Sequence, residues 1–356
     1  MSTNTILFGL TALVFAALLS FTAAPIARFL AHKLGAIDIP KDDRRMHKEP
    51  IPLLGGLAIF FAFAVTALLF AVPSETLLAL LFGGLIIVAC GVLDDMFELN
   101  PLAKLVFQLL AAVVAIALGV RVESINLFGQ YVVFGAWSYP VTLIWIIALI
   151  NSINLIDGLD GLACGVSAIS SLSLLIIAVI MSESQIALLT AILVGACIGF
   201  LPFNSFPAKM FIGDTGAMFL GFTLSVLSVE GVFKAHTLFA FFAPIALFAL
   251  PLFDTIFAFF RRICQGKNPF HGDRGHIHHR LIDLGFSHKQ TVLVLYAICG
   301  LCGASAVVLL FLGMGRALMT LGIGMGILLI NYLLLKKHIL PPPAESDPDA
   351  RKDGKS

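Results

Sequence analysis

The sequence predicts an all-α protein, a polytopic membrane helix bundle of about eleven transmembrane helices, and three observations carry that expectation. Hydrophobic residues make up 59% of the 356 and charged ones only 12%, against about 45–50% and about 25% in a soluble domain; mean hydropathy is +1.02. So few charges cannot clothe a water-facing surface, and lipid must solvate most of the chain. Apolar runs of spanning length recur along the sequence. Lysine and arginine gather in alternate loops, as they do where one side faces the cytoplasm.

A spanning helix needs about 20 mostly apolar residues, within a range of about 17–25. On that rule the spans lie near 5–27, 53–72, 76–93, 104–120, 137–156, 162–181, 186–203, 215–232, 238–260, 290–311 and 317–335. The first apolar stretch, Thr5–Ala24, lacks a basic leader and reads as an uncleaved helix, not a signal peptide. The fourth and fifth spans are the least regular, because Asn151, Asn154 and several glycines interrupt or flank them. Residues 1–340 form one membrane-embedded domain. Residues 341–356 mix prolines with charges of both signs and are expected to be a disordered cytoplasmic tail. No internal repeat is evident, which counts against a transporter of two related halves.

With the chain start outside, nineteen of the 22 lysines and arginines fall in inside loops or the tail, and only Arg121, Lys234 and Arg316 fall outside. Trp137, Tyr131 and Tyr139 gather at one outside border, where amphipathic rings favour the headgroup level. Net charge is +1, so no bulk field points to a nucleic-acid partner. All cysteines but Cys264 lie in apolar runs, and the Cys299–Cys302 pair reads as packing within a span, not as a redox motif.

Nearly every unusual polar cluster falls on the inside. The basic loop with Arg44, Arg45 and Lys48 suits anionic headgroups, while Pro50, Pro52, Gly55 and Gly56 argue for a shaped backbone that a ligand or helix can approach. Asp94 and Asp95 end an apolar run, and adjacent carboxylates there need a cation or donors nearby. Lys104, nine residues on, can return to face them. Asn151, Asn154, Asp157 and Asp160 recur every three residues, which on a helix gathers them to one face. Carboxylates at a membrane boundary are functional candidates by default. Asp214 is framed by Gly213 and Gly216 just before a helix, which suits a hard oxygen-ligated cation such as Mg²⁺; no Walker A loop is present. Asp254 lies inside the ninth span, where it can pair with Arg261, Arg262 or a helix-end donor. Five of the nine histidines fall between 271 and 288. No cysteine but Cys264 is placed to complete a zinc site among them, and the loop suits a pyrophosphate better.

Taken in order, NLIDGLDGL, FIGDTG and HIHHRL make the stretch from about 30 to 290 resemble the polyprenyl-phosphate N-acetylhexosamine-1-phosphate transferase family. The resemblance implies a bundle of ten or eleven helices with a cytoplasmic active-site cleft, in the bacterial inner (plasma) membrane. It implies transfer of GlcNAc 1-phosphate from UDP-GlcNAc to undecaprenyl or another polyprenyl phosphate, with release of UMP. Asp214 and Asn154 then look like partners of Mg²⁺, with Mn²⁺ the alternative ion. Asp94 and Asp95 look like the catalytic pair near the lipid phosphate, Lys104 like the lysine at the transferring phosphates, and Asp157 like an acidic group near the metal. Asp160 and Phe211 look like uracil contacts. His276, His278 and His279 match a loop over sugar and pyrophosphate, and Arg280 and Lys48 join the substrate-binding set. The bilayer is the implied setting, and a homodimer is left open. His278-His279-Arg280 after His276-Ile277 is similar to the UDP-GlcNAc branch, whereas the phospho-MurNAc-pentapeptide transferase carries three consecutive histidines. Direct attack and an aspartyl-phosphate route both stay open, as do a secondary transporter and a non-catalytic lipid-binding scaffold.

Overall fold

The structure, a computed structural model, describes residues 3–39, 49–127, 130–233, 239–266 and 276–339. Lys48 and the expected tail lie outside the described residues. Seven helical stretches are long and apolar enough to cross a membrane: Asn4–Leu34, Glu75–Phe97, Gly135–Ile156, Leu162–Ile180, Ser184–Asn204, Gly213–Phe233 and His288–Leu312. The chain is an all-α, multi-pass membrane protein. Three shorter apolar stretches, Gly55–Phe70, Pro101–Ala117 and Met314–Ile330, stand where further spans were expected.

In chain order the helices are α1 (Thr3–Leu34), α2 (Gly55–Phe70), α3 (Glu75–Phe97), α4 (Pro101–Ala117), α5 (Ser138–Ile156), α6 (Leu162–Ile180), α7 (Ser184–Asn204) and α8 (Gly213–Ser228). They continue with α9 (Phe242–Leu247), α10 (Ala249–Cys264), α11 (Ile277–Asp283), α12 (His288–Leu312) and α13 (Met314–Ile339). The ninth expected span, 238–260, is therefore not one helix. Pro251 supplies no N–H for the Leu247 carbonyl, and its ring crowds that turn, so the chain breaks at Phe248. Beyond the break, α10 exposes Phe253, Ile256, Phe257 and Phe260 on one face and buries Asp254, Ala258 and Arg262 on the other.

Two small antiparallel ribbons depart from the all-helical expectation. Strands β1 (Ile37–Asp38) and β2 (Ile51–Pro52) pair at the foot of α1, and β3 (Ser124–Leu127) pairs with β4 (Gln130–Val133) between α4 and α5. The second has a sequence signal, since Ser-Ile-Asn-Leu and Gln-Tyr-Val-Val flank a two-residue connection.

Close helix approach organises the core. Every residue of α8 except Asp214 is buried. A Cβ on Gly56 would overlap the backbone of Gly216 and Thr215, and one on Gly91 would overlap Thr215. Glycine at these positions lets α2 and α3 press on the first turn of α8. In the same way Gly195 and Gly199 of α7 lie on the backbone of Leu13 and Ala17 in α1, a small-xxx-small crossing typical of membrane helices. Asn151 is also a packing residue: it donates to Gln108 Oε1 of α4 at 2.8 Å and receives the Gln108 amide at 3.4 Å. Cys299 and Cys302 are buried free thiols. Contacts of Asp214 with Asp95 and Asn154, and of Asp160 with Ala208, bring the motif-bearing helix ends to one end of the bundle.

Candidate active site

A cleft of about 350 Å³ opens at that end, lined among others by Asp95, Asp157, Asp160, Phe211, Asp214 and His279. Its floor is made by the N-terminus of α8. Gly213 has φ +66°, and a Cβ there would overlap the Asp95 carboxylate; glycine is needed on both counts. Ile212, the residue before the helix, makes no side-chain cap. Asp95 supplies one from α3: Oδ1 accepts the Asp214 N–H at 2.8 Å, and Oδ2 accepts the Thr215 hydroxyl at 2.6 Å and its N–H at 3.2 Å. A carboxylate at a helix N-terminus also meets the favourable end of the dipole.

Asp94 faces elsewhere, although it is the next residue. Its Oδ1 accepts the Leu99 N–H at 2.8 Å, and its Oδ2 lies 2.6 Å from Lys104 Nζ. Lys104, in the first turn of α4, also pairs with Asp214. Asp214 Oδ1 receives the Asn154 amide at 2.9 Å. Four helices thus deliver Asp94, Lys104, Asn154 and Asp214 to one point. The two adjacent aspartates, read from sequence as a pair, divide their work: Asp95 builds the floor and Asp94 holds the lysine.

Asp157 caps α5 beside them. Burial, then the charges of Asp214, Asp95 and Asp160, hold its carboxyl well above the usual carboxylate range. Such crowding of acids suits a bound cation. The donors at hand are oxygens, from Asp214, Asp157 and the Asn154 amide, with no sulfur or imidazole in the set. This chemistry fits Mg²⁺, which takes one or two carboxylates and fills its remaining positions with water and substrate phosphate. No group of three or more His, Cys, Asp or Glu forms a ready ligand cage among the described residues, so phosphate and water oxygens would complete the shell.

At the other end, Asp160 Oδ2 accepts the Ala208 N–H at 2.9 Å. Phe211 is fixed through its main chain: its N–H donates to Pro52 O at 2.9 Å and its carbonyl accepts from Gly55 at 3.0 Å. Gly55 thus supports the cleft wall by holding Phe211. Two residues here were not singled out from sequence. Asn204 ends α7, donates to Met210 O at 3.1 Å and has a buried Oδ1 without a hydrogen-bond partner. His288 lines the cleft with its ring 4.5 Å from that of Phe206. Asn204 follows an apolar segment with no motif around it, and His288 is the outlying member of the histidine cluster, so the fold is needed to place both in the cleft.

The histidines separate by position. His279 lines the cleft. His278 is 2% exposed and its ring packs where a Cβ on Gly158 would sit. His276 is buried with Nδ1 2.9 Å from Asp254 Oδ2. Arg280 lies with its guanidinium 4.9 Å from the Phe257 ring centre, on the α10 side and not in the cleft wall.

Burial, followed by the charges of His279 and His276, pushes the His278 imidazole down to about 3. A histidine depressed below its ordinary 6.5 leaves the packed segment binding fewer protons than the opened one. The stabilisation is complete above about pH 6.5 and is lost progressively as pH falls toward 3. Going from pH 7.5 to 5 should therefore weaken packing of α11 by about 2 kcal/mol. Amide exchange over 277–283, corrected for intrinsic rates, should show it, and His278→Gln should remove that pH dependence. Equal protection of the unsubstituted segment at both pH values would contradict the burial.

Comparison with known proteins gives a consistent picture. Residues 77–232 match the family described as glycosyl transferase family 4. A Bacillus subtilis (strain 168) protein named "Probable undecaprenyl-phosphate N-acetylglucosaminyl 1-phosphate transferase" is 38% identical over 288 residues, covering 80% of each chain. A decaprenyl-phosphate N-acetylglucosaminephosphotransferase of Mycolicibacterium smegmatis is 31% identical over 360 residues, 92% of this chain and 87% of that one. An undecaprenyl-phosphate alpha-N-acetylglucosaminyl 1-phosphate transferase of Salmonella typhimurium is 30% identical over 294 residues, 78% of each.

Proposed function

We propose a mechanism from one premise: the chain belongs to glycosyl transferase family 4, among the polyprenyl-phosphate N-acetylglucosamine-1-phosphate transferases. It is a phosphotransferase that moves GlcNAc 1-phosphate onto a polyprenyl phosphate, the first step of a lipid-linked glycan. The donor is UDP-GlcNAc, and the reaction runs at the cytoplasmic face of a bacterial inner membrane. The basic bias of the loops supports that orientation, with the shorter apolar helices also crossing. The observation that carries the mechanism is the meeting of Asp94, Lys104, Asn154 and Asp214, from four helices, at the point where Asp214 lines the cleft.

An oxygen of the lipid phosphate attacks the sugar-linked phosphorus of the donor. The bond from that phosphorus to the bridging oxygen breaks, and its electrons leave with UMP. Lys104 meets the negative charge on the transferring phosphoryl oxygens, where a preorganised cation is worth most. Asp94 orients the lipid phosphate or takes its last proton. Asp214, Asp157 and the Asn154 amide oxygen would hold Mg²⁺, which when bound would supply charge neutralisation on the pyrophosphate. Uracil stacks on Phe211 and bonds to Asp160 at the far end. An ionised lipid phosphate is already a nucleophile, so direct attack needs no aspartyl intermediate.

His279 covers the pyrophosphate. His279→Ala should raise the KM for UDP-GlcNAc roughly ten- to a hundredfold, as loss of one charge-assisted hydrogen bond does, and leave that for the lipid phosphate unchanged. The reverse pattern would put this loop at the wrong end of the cleft. Orientation is checked by Arg274→Cys in a cysteine-free background, which an impermeant maleimide should reach only after the membrane is opened. Labelling in intact cells would overturn it. Donor identity is tested by offering UDP-GlcNAc and UDP-MurNAc-pentapeptide in turn. Turnover is expected with the first alone, and preference for the second would assign the chain to the peptidoglycan branch.

A further inference from the structure

Asp254 is a carboxylate placed where one is costly. It lies on the buried face of α10 and is 3% exposed, so it persists only if its oxygens are well bonded. Both are. Oδ2 lies 2.9 Å from His276 Nδ1, and Oδ1 accepts the Ile277 N–H at 2.8 Å. The His276 ring and the Asp254 carboxyl thus share one hydrogen bond. The Ile277 N–H is one of the first-turn donors that a helix leaves unsatisfied, and His276, at the cap position of α11, gives no side-chain cap. Asp254 provides that cap from a different helix. One turn further along α10, Phe257 carries the Arg280 guanidinium at 4.9 Å. Helix α10 therefore grips α11 at two points, residues 276–277 and residue 280. Between them lie His278, packed on Gly158, and His279 in the cleft wall. The His276 and His278 rings are held parallel, 2° apart in plane and 5.8 Å between centres.

We propose that Asp254 is a positioning residue for the transfer reaction: by binding His276 and the first turn of α11 it sets His279 over the donor end of the cleft. This rests on the UDP-GlcNAc reading above. Asp254 touches no reacting atom and acts through the histidine segment alone. Its loss should therefore be felt by the nucleotide sugar and not by the lipid.

The test uses the full-length protein in detergent, with the KM of each substrate measured for the unsubstituted enzyme, Asp254→Asn, Asp254→Ala, His279→Ala and the double variant Asp254→Asn/His279→Ala. Asp254→Asn keeps the shape and an acceptor for Ile277, so it folds even where the alanine variant does not. It should raise the KM for UDP-GlcNAc about tenfold, the scale of a weakened charge-assisted bond, with the KM for polyprenyl phosphate unchanged. Asp254→Ala, where it folds, should be worse than Asp254→Asn. In the His279→Ala background, Asp254→Asn should add less than about twofold, because the two substitutions interrupt one chain of contacts. An unchanged donor KM, an equal rise for both substrates, or full additivity with His279→Ala would overturn the proposal. If the unsubstituted enzyme releases no UMP from UDP-GlcNAc, the functional reading fails first, and that outcome is distinct from all of these.

Discussion

Replacing Asp214 by asparagine should lower kcat by about a thousandfold or more, the scale of about 4 kcal/mol of lost transition-state stabilisation, while the protein stays folded. Asp214 is the one residue of α8 that is not buried, and it lines the cleft. Its carboxylate binds Lys104 and receives the Asn154 amide. Asparagine keeps the volume but removes the charge that holds the lysine and that would hold a divalent ion. The helix start survives, because Asp95 grips the main-chain N–H of residue 214 and the Thr215 hydroxyl, neither of which the substitution touches. UMP release at saturating Mg²⁺, with the thermal midpoint in detergent as the folding control, measures the effect. Turnover within tenfold of the unsubstituted enzyme would remove Asp214 from the metal set.

Lys104→Met should cost about a hundred- to a thousandfold in kcat, the range seen on removing one preorganised donor from a developing charge. The ammonium lies between Asp94 and Asp214, so its removal leaves two carboxylates facing each other with no cation between them. Methionine preserves much of the side-chain length and keeps the change electrostatic. The Mg²⁺ concentration for half-maximal rate should not rise, because no metal ligand is lost. That separates this variant from Asp214→Asn, whose demand for Mg²⁺ should increase. A tenfold higher Mg²⁺ requirement in Lys104→Met would mean that the lysine supports the metal and not the phosphoryl group.

Much of this arrangement could be read from the chain, for identifiable reasons. Apolar run length places ten of the expected spans near a helix, because in lipid only intra-segment hydrogen bonding satisfies a backbone. The ninth failed at Pro251, a local backbone rule that a hydropathy window averages away. Asp95, Asp157, Asp160, Asp214 and His279 all line the cleft, since polar groups at a membrane boundary are rare enough to be informative; Phe211 lines it too, and there the family resemblance, not polarity, was the signal. Asn151 met the same criterion and proved to be half of an amide pair with Gln108, because spacing cannot tell a ligand from a helix–helix bond. The division between Asp94 and Asp95 was invisible for another reason. It depends on which neighbour each carboxylate meets, Lys104 from α4 or the start of α8, and those lie 10 and about 119 residues away in sequence. The tether from Asp254 to His276 is likewise a tertiary contact with no local pattern.

On the proposed mechanism, a sugar leaves the donor together with its phosphate. UDP-GlcNAc carrying label on the phosphorus attached to the sugar, mixed with polyprenyl phosphate, Mg²⁺ and the purified protein, tests it most directly. The label should move into the lipid fraction, and unlabelled UMP should appear in equal amount. Label retained in water-soluble UDP, with unlabelled sugar on the lipid, would mean that the glycosidic bond breaks instead and would contradict the mechanism.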